Sequence, residues 1–130
     1  MATEYQRLWP AGPFEDKNGT VVPVQDASVT MVAGSANNLI VTGVSGKKII
    51  VLEMSFYAAV GATGVIFRDG SGGSIIKSYP VQAVASVPPN EKFPPNQFGY
   101  LRTTAGTGLY ADCNGAGGAT VNISYIVATP

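Results

Sequence analysis

The chain has 130 residues, 45% of them hydrophobic and only 12% charged, with eight basic side chains, eight acidic ones and no histidine. One domain built around a single substantial core is the expected outcome. A net charge of zero leaves no basic surface to neutralise phosphates, which excludes charge-driven nucleic-acid binding, and the missing imidazole excludes Ser-His-Asp and Cys-His catalysis.

Residues 1–27 differ in character from the rest. Tyr5, Leu8, Trp9 and Phe14 are interleaved with Pro10, Pro13 and Pro23 and with the polar run Glu15 to Gly19. No period of two or 3.6 persists, and the prolines exclude a helix of useful length. The segment reads as an extended N-terminal arm, separate from a β-sandwich domain over residues 28–130. Its few large apolar side chains do not offset the cost of ordering so many residues. The arm therefore needs a surface to lie on, either its own domain's flank or another subunit. The opening MATEYQRLWPAG has no basic stretch followed by an apolar run, so synthesis in a reducing cytoplasm is expected.

From Ser28 onward, β-branched and apolar stretches alternate with Gly, Asn, Asp and Pro. The first strand is predicted at Ser28–Ala33. A second holds Leu39, Val41 and Gly43 against Ile40, Thr42 and Val44, between turn signals at 36–38 and 45–46. Lys48–Ala58 gives a long central strand. One of its faces reads Ile50, Leu52, Met54, Phe56, Ala58, and the other reads Ile49, Val51, Glu53, Ser55, Tyr57, turning polar halfway. Gly64–Arg68 and Ser74–Ser78 follow, joined by the glycine-rich loop 69–73 as a hairpin. Val81–Val87, Gly99–Thr104 and Gly108–Cys113 complete the middle of the chain. Between them, Pro88 to Asn96 repeats Pro-Pro-Asn. That segment is either a rigid contact loop with Phe93 at its tip or a proline-held crossover between sheets. The last strand, Ala119–Val127, puts Val121, Ile123, Tyr125 and Val127 on one face and Asn122 and Ser124 on the other. Eight or so short strands at this spacing predict an all-β, antiparallel, jelly-roll-like β-sandwich. Its core is expected to hold Ile50, Leu52, Met54, Phe56, Val121, Ile123 and Tyr125.

A search for chemistry finds little. The acids are scattered and form no pair of the kind that acid/base glycosidic cleavage requires. Glu53, on a strand, reads as an edge or interface residue. Cys113 stands alone, so no disulfide closes within the chain, and it reads as a small buried hydrophobe. Zinc would need histidines or several cysteines, and the 69–72 loop lacks the further acidic ligands of a calcium site. The glycine clusters lead into strands, not helix N-termini, and have no dipole for a phosphate. No apolar stretch is long enough for a membrane-spanning helix. Neither cofactor nor metal is expected, and the chain does not read as an enzyme.

Three segments carry a resemblance: Asn37-Asn38-Leu39-Ile40-Val41 with Val44-Ser45-Gly46-Lys47-Lys48-Ile49-Ile50-Val51-Leu52, Leu101-Arg102-Thr103-Thr104-Ala105-Gly106-Thr107-Gly108-Leu109-Tyr110, and the closing Ser124-Tyr125-Ile126-Val127. Over residues 28–128 the chain resembles small β-sandwich virion proteins of tailed bacteriophages. With its N-terminal arm it is similar to jelly-roll capsid decoration (cement) proteins. The resemblance implies a homotrimer on the capsid surface, made in the host cytoplasm, with the major capsid protein as partner. Tyr5, Leu8, Trp9 and Phe14 would be the arm's anchors, and Phe93 a further contact. On this reading, removing residues 1–27 leaves a folded domain that no longer binds capsids. The alternative places the chain at a phage tail or fibre tip, binding a host glycan through Asn side chains and a platform drawn from Tyr57, Tyr79, Tyr100 and Tyr110. A non-viral carbohydrate-binding or adhesin module is a third reading, against which the lack of a secretory signal counts.

Overall fold

Two-residue alternation and frequent glycine turns favour strands, and strands are what form. The computed structural model describes residues 5–7, 14–16, 18–80, 90–94, 96 and 99–129, among which there is no helix. In chain order the strands are β1 (Tyr5–Arg7), β2 (Phe14–Asp16), β3 (Val21–Val22), β4 (Gln25–Met31), β5 (Asn38–Val41), β6 (Lys48–Ala58), β7 (Ala62–Asp69), β8 (Ser74–Pro80), β9 (Asn90–Phe93), β10 (Leu101–Arg102), β11 (Leu109–Gly115) and β12 (Ala119–Ala128). The segment 81–87, predicted as a strand, lies outside the described residues.

Among the described residues all strand pairings are antiparallel. The first sheet runs β10-β6-β12-β4, with β9 also on β6, and the second runs β5-β11-β7-β8. β9 and β10 lie along the same edge of β6, opposite Tyr57 to Met54 and Val51 to Ile50 respectively, as two segments of one edge. The Asn96 amide still donates to the Leu52 carbonyl at 2.8 Å, and the Tyr100 hydroxyl donates to the Pro94 carbonyl at 2.6 Å. Counting these two segments as one gives four strands per sheet among the described residues. Their pairings nest: β4 with β12, β5 with β11, β6 with β9/β10, and β7 with β8. First pairs with last, and successive pairs alternate between sheets. That is the jelly-roll winding of a β-sandwich.

The main core fills the space between the sheets, with Met31, Val51, Met54, Phe56, Val65, Phe67, Leu109 and Val121 almost wholly buried. At one end five rings, Phe56, Phe67, Tyr79, Phe93 and Tyr100, stack edge to face or tilted, with centroids 5.1–6.4 Å apart. Such ring geometry adds to the stabilisation from burial alone. Phe93 thus belongs to the core, in register with Met54. It is not the tip of a contact loop, because its ring is the link between Tyr79 and Tyr100.

A second core lies on the opposite, outer face of the first sheet. Phe14 and Val22, from the small sheet β1-β2-β3, cover Ile50, Leu52, Ile126 and Ala128. Phe14 is 1% exposed within its own chain. Part of the N-terminal segment therefore packs on its own flank, and the sandwich strand β4 already begins at Gln25.

Candidate functional site

One β-bulge organises the outer face of the first sheet. Along β6 the register with β12 passes from Ser124 opposite Glu53 to Tyr125 opposite Val51, leaving Leu52 as the extra residue. A bulge of this kind puts two consecutive side chains on the same side. Ile49 and Val51 before it, and Met54, Phe56 and Ala58 after it, consequently all enter the main core. The outer face is divided in two. Ile50 and Leu52 make its apolar half, sealed by Phe14 and Val22. Glu53, Ser55 and Tyr57 make its polar half. Ile50 and Leu52, expected in the inter-sheet core, belong instead to the second one.

The polar half forms a groove of about 770 Å³. Its floor is two rows of side chains in register across β4, β12 and β6: Asp26, Ser124 and Glu53 in one, Ser28, Asn122 and Ser55 in the other. Pro94 borders it, next to Phe93, whose ring lies on the core side of the sheet. The Ser124 hydroxyl donates to Asp26 Oδ1 at 2.7 Å, fixing both side chains. Beyond the groove the same face continues with Thr30 and Thr120, whose hydroxyls are 3.3 Å apart, and with Tyr57, which is 49% exposed.

A second groove, of mixed polarity and about 550 Å³, lies where β3 and β4 meet the edge strand β5. Val21, Val41, Val44 and Val127 line it together with Thr20, Gln25, Thr42 and Lys47, and Val21 and Val44 are 55% and 42% exposed. Val24, next to it in the chain, is also exposed.

The residues expected to anchor a partner are distributed differently from that expectation. Phe14 is committed to the second core because an apolar patch on the sheet's outer face requires cover. Phe93 is committed to the aromatic cluster. Tyr5 enters β1, where its backbone pairs with Asp16; Leu8 and Trp9 lie outside the described residues. The four tyrosines do not make a platform. Tyr79 and Tyr100 are in the internal ring cluster, Tyr57 is on the outer face of the first sheet, and Tyr110 is on β11 of the second.

The most constrained polar group is Asp112, 6% exposed on β11. Its Oδ2 accepts from Arg68 Nε at 2.6 Å, and its Oδ1 accepts from the Asn37 backbone amide at 2.8 Å. Arg68 also donates to the Gly73 carbonyl, and the Asn37 side-chain oxygen accepts from the Gly72 amide. Asn37 is held in the left-handed region, φ 56°, which Asn tolerates better than most residues. This network ties the 32–37 turn to the β7–β8 loop, a structural task. Cys113 is fully buried, its thiol donating to the Gly117 carbonyl at 3.3 Å. Burial pushes the thiol pKa up, against a smaller lowering from a backbone contact at Gly34. Burial, and then the neighbouring Tyr100, likewise raises Tyr79. Among the described residues no group of three or more Cys, Asp or Glu side chains is placed to hold a metal ion.

No protein-family model matches this chain, and no curated protein and no solved structure shows significant similarity to it. The groove was not anticipated from the sequence. Its signal was present in Asn122, Ser124 and the polar turn of β6 at Glu53. Which of the two apparent faces of β6 stayed open depended on Leu52, whose role as a bulge has no local signature.

Proposed function

We propose that this chain is a structural protein of a tailed-phage particle that decorates and stabilises the capsid as a homotrimer bound to the major capsid protein. The observation that carries the reading is the group of exposed valines, Val21, Val24 and Val44, beside the groove between β3, β4 and β5. They sit on the surface of a chain with zero net charge. Exposed apolar patches of this kind are characteristic of surfaces that another protein covers. Low charge removes the repulsion that keeps free proteins apart. The jelly-roll winding is compatible with this proposal. Three such grooves on one trimer would engage neighbouring capsid subunits with avidity, each contact raising the effective concentration for the next.

The packing of Phe14 changes how the arm is to be tested. Deleting residues 1–27 would strip Phe14 and Val22 from the second core and remove the start of β4, confusing loss of binding with loss of folding. Deletion of residues 1–13 retains both side chains. The decisive experiment is co-sedimentation of the full chain, the 1–13 deletion and the Val21→Asp/Val44→Asp double variant with purified capsids. The full chain is expected to pellet with capsids. The double variant is expected to lose at least about tenfold in affinity while keeping its melting temperature. Failure of the full chain to pellet with capsids, or its binding to isolated tails instead, would overturn the capsid assignment.

A further inference from the structure

We infer that the polar groove on the outer face of the first sheet is a binding site for a neutral oligosaccharide. The site does not depend on where in a particle the chain resides, so it stands or falls apart from the capsid assignment.

Three features point to this ligand class. The first is size: at about 770 Å³ the groove is in the range of small-molecule sites. Adjacent strands lie about 4.8 Å apart, and alternate residues on one strand about 6.8 Å apart. The two rows across β4, β12 and β6 therefore make a floor of about 10 by 7 Å, enough for a pyranose ring and part of its neighbour. The second is chemistry. The floor presents two carboxylates (Asp26, Glu53), one amide (Asn122) and three hydroxyls (Ser28, Ser55, Ser124). Carboxylates accept strong charge-assisted bonds from hydroxyl groups. The Asn122 amide and the serine hydroxyls both donate and accept, as sugar hydroxyls do. A sugar carries a donor and an acceptor on nearly every carbon and can satisfy such a floor. An apolar side chain from a protein partner would instead leave these groups buried and unpaired, and the centre of protein interfaces is correspondingly depleted in charge. The third is the border. Pro94, exposed at the groove's border, offers an apolar side to the C–H face of a ring. The bond from Ser124 to Asp26 orients the row before any ligand arrives, which lowers the ordering cost of binding.

The test begins with the labelled full chain on a glycan array. Maltotriose, cellotriose, chitotriose and any array hit are then titrated into ¹⁵N-labelled protein. At least one saccharide is expected to shift the backbone amides of Ser28, Glu53, Ser55, Asn122 and Ser124, leaving those of β11 in place. Asn122→Ala and Glu53→Gln are expected to weaken that binding by about tenfold or more, whereas Tyr110→Ala on the other sheet leaves it unchanged. Ser55→Ala serves as the second groove variant if either substitution disturbs folding. The inference is overturned if no saccharide binds, if binding survives all three groove substitutions, or if an arginine-bearing peptide shifts these amides and no saccharide does.

Discussion

Phe14→Ala tests whether the N-terminal segment is part of the fold. The ring is 1% exposed and shares its cluster with Val22, Ile50, Leu52, Ile126 and Ala128. Truncating a fully buried Phe to Ala costs about 3–5 kcal/mol through lost transfer energy and the cavity left behind. The lower figure applies here, because the cluster is small and the short strands above it can settle partly into the gap. A loss of about 3 kcal/mol is a sizeable part of the roughly 5–15 kcal/mol available to a domain. With an unfolding entropy of about 2.1 cal/mol/K per residue it lowers the melting temperature by about 10 °C. Urea denaturation followed by fluorescence, with a thermal scan alongside, measures both. The midpoint should fall with the m-value unchanged. A double-mutant cycle with Ile50→Ala should show coupling of at least about 0.5 kcal/mol, as expected for residues in contact. A melting temperature within about 2 °C of the parent would refute the second core and return Phe14 to the pool of residues free to bind a partner.

Other expectations are more local. Asp112→Ala leaves the Arg68 guanidinium and the Asn37 amide without their acceptor. It should cost about 2–3 kcal/mol in denaturant titrations, whereas Arg68→Lys, which cannot reproduce both bonds of the guanidinium, should cost about 1 kcal/mol. Cys113 should resist a thiol reagent such as Ellman's in the native state and react fully in denaturant; rapid native labelling would contradict its burial. Raised folded-state pKa values for Cys113 and Tyr79 mean that the folded chain holds these protons longer than the unfolded one. Their contribution to stability is therefore complete below the ordinary thiol value of 9.0 and declines as pH rises above it. Cys113→Ala should flatten the first part of that decline, which melting temperatures measured from pH 8 to 11 would reveal.

Much of the architecture was legible because strand alternation and turn chemistry act locally. β6 and β12 match their predicted spans almost residue for residue, and the loop 69–73 forms the expected hairpin between β7 and β8. What escaped were features decided by distant parts of the chain. The β6 pattern looked like two competing faces because Leu52 is a bulge, and only the register against β12 reveals it. Asn90–Phe93 looked like a proline-held loop, yet it pairs with β6, and Phe93 completes an aromatic cluster contributed by β6, β7 and β8. Phe14 looked like an anchor in search of a partner. The patch it covers is assembled from β6 and β12, more than thirty residues away in sequence. The groove depended on the same bulge: the polar residues were visible one by one, but their alignment in two rows across three strands was not.

The proposed capsid role is tested most directly by cryo-electron microscopy of tailed-phage particles assembled with and without this chain. The account expects trimeric density on the outer shell, placed against capsid subunits through the Val21 and Val44 groove, and absent from particles lacking the chain. Shells identical in the two samples, with the missing density confined to the tail, would contradict it.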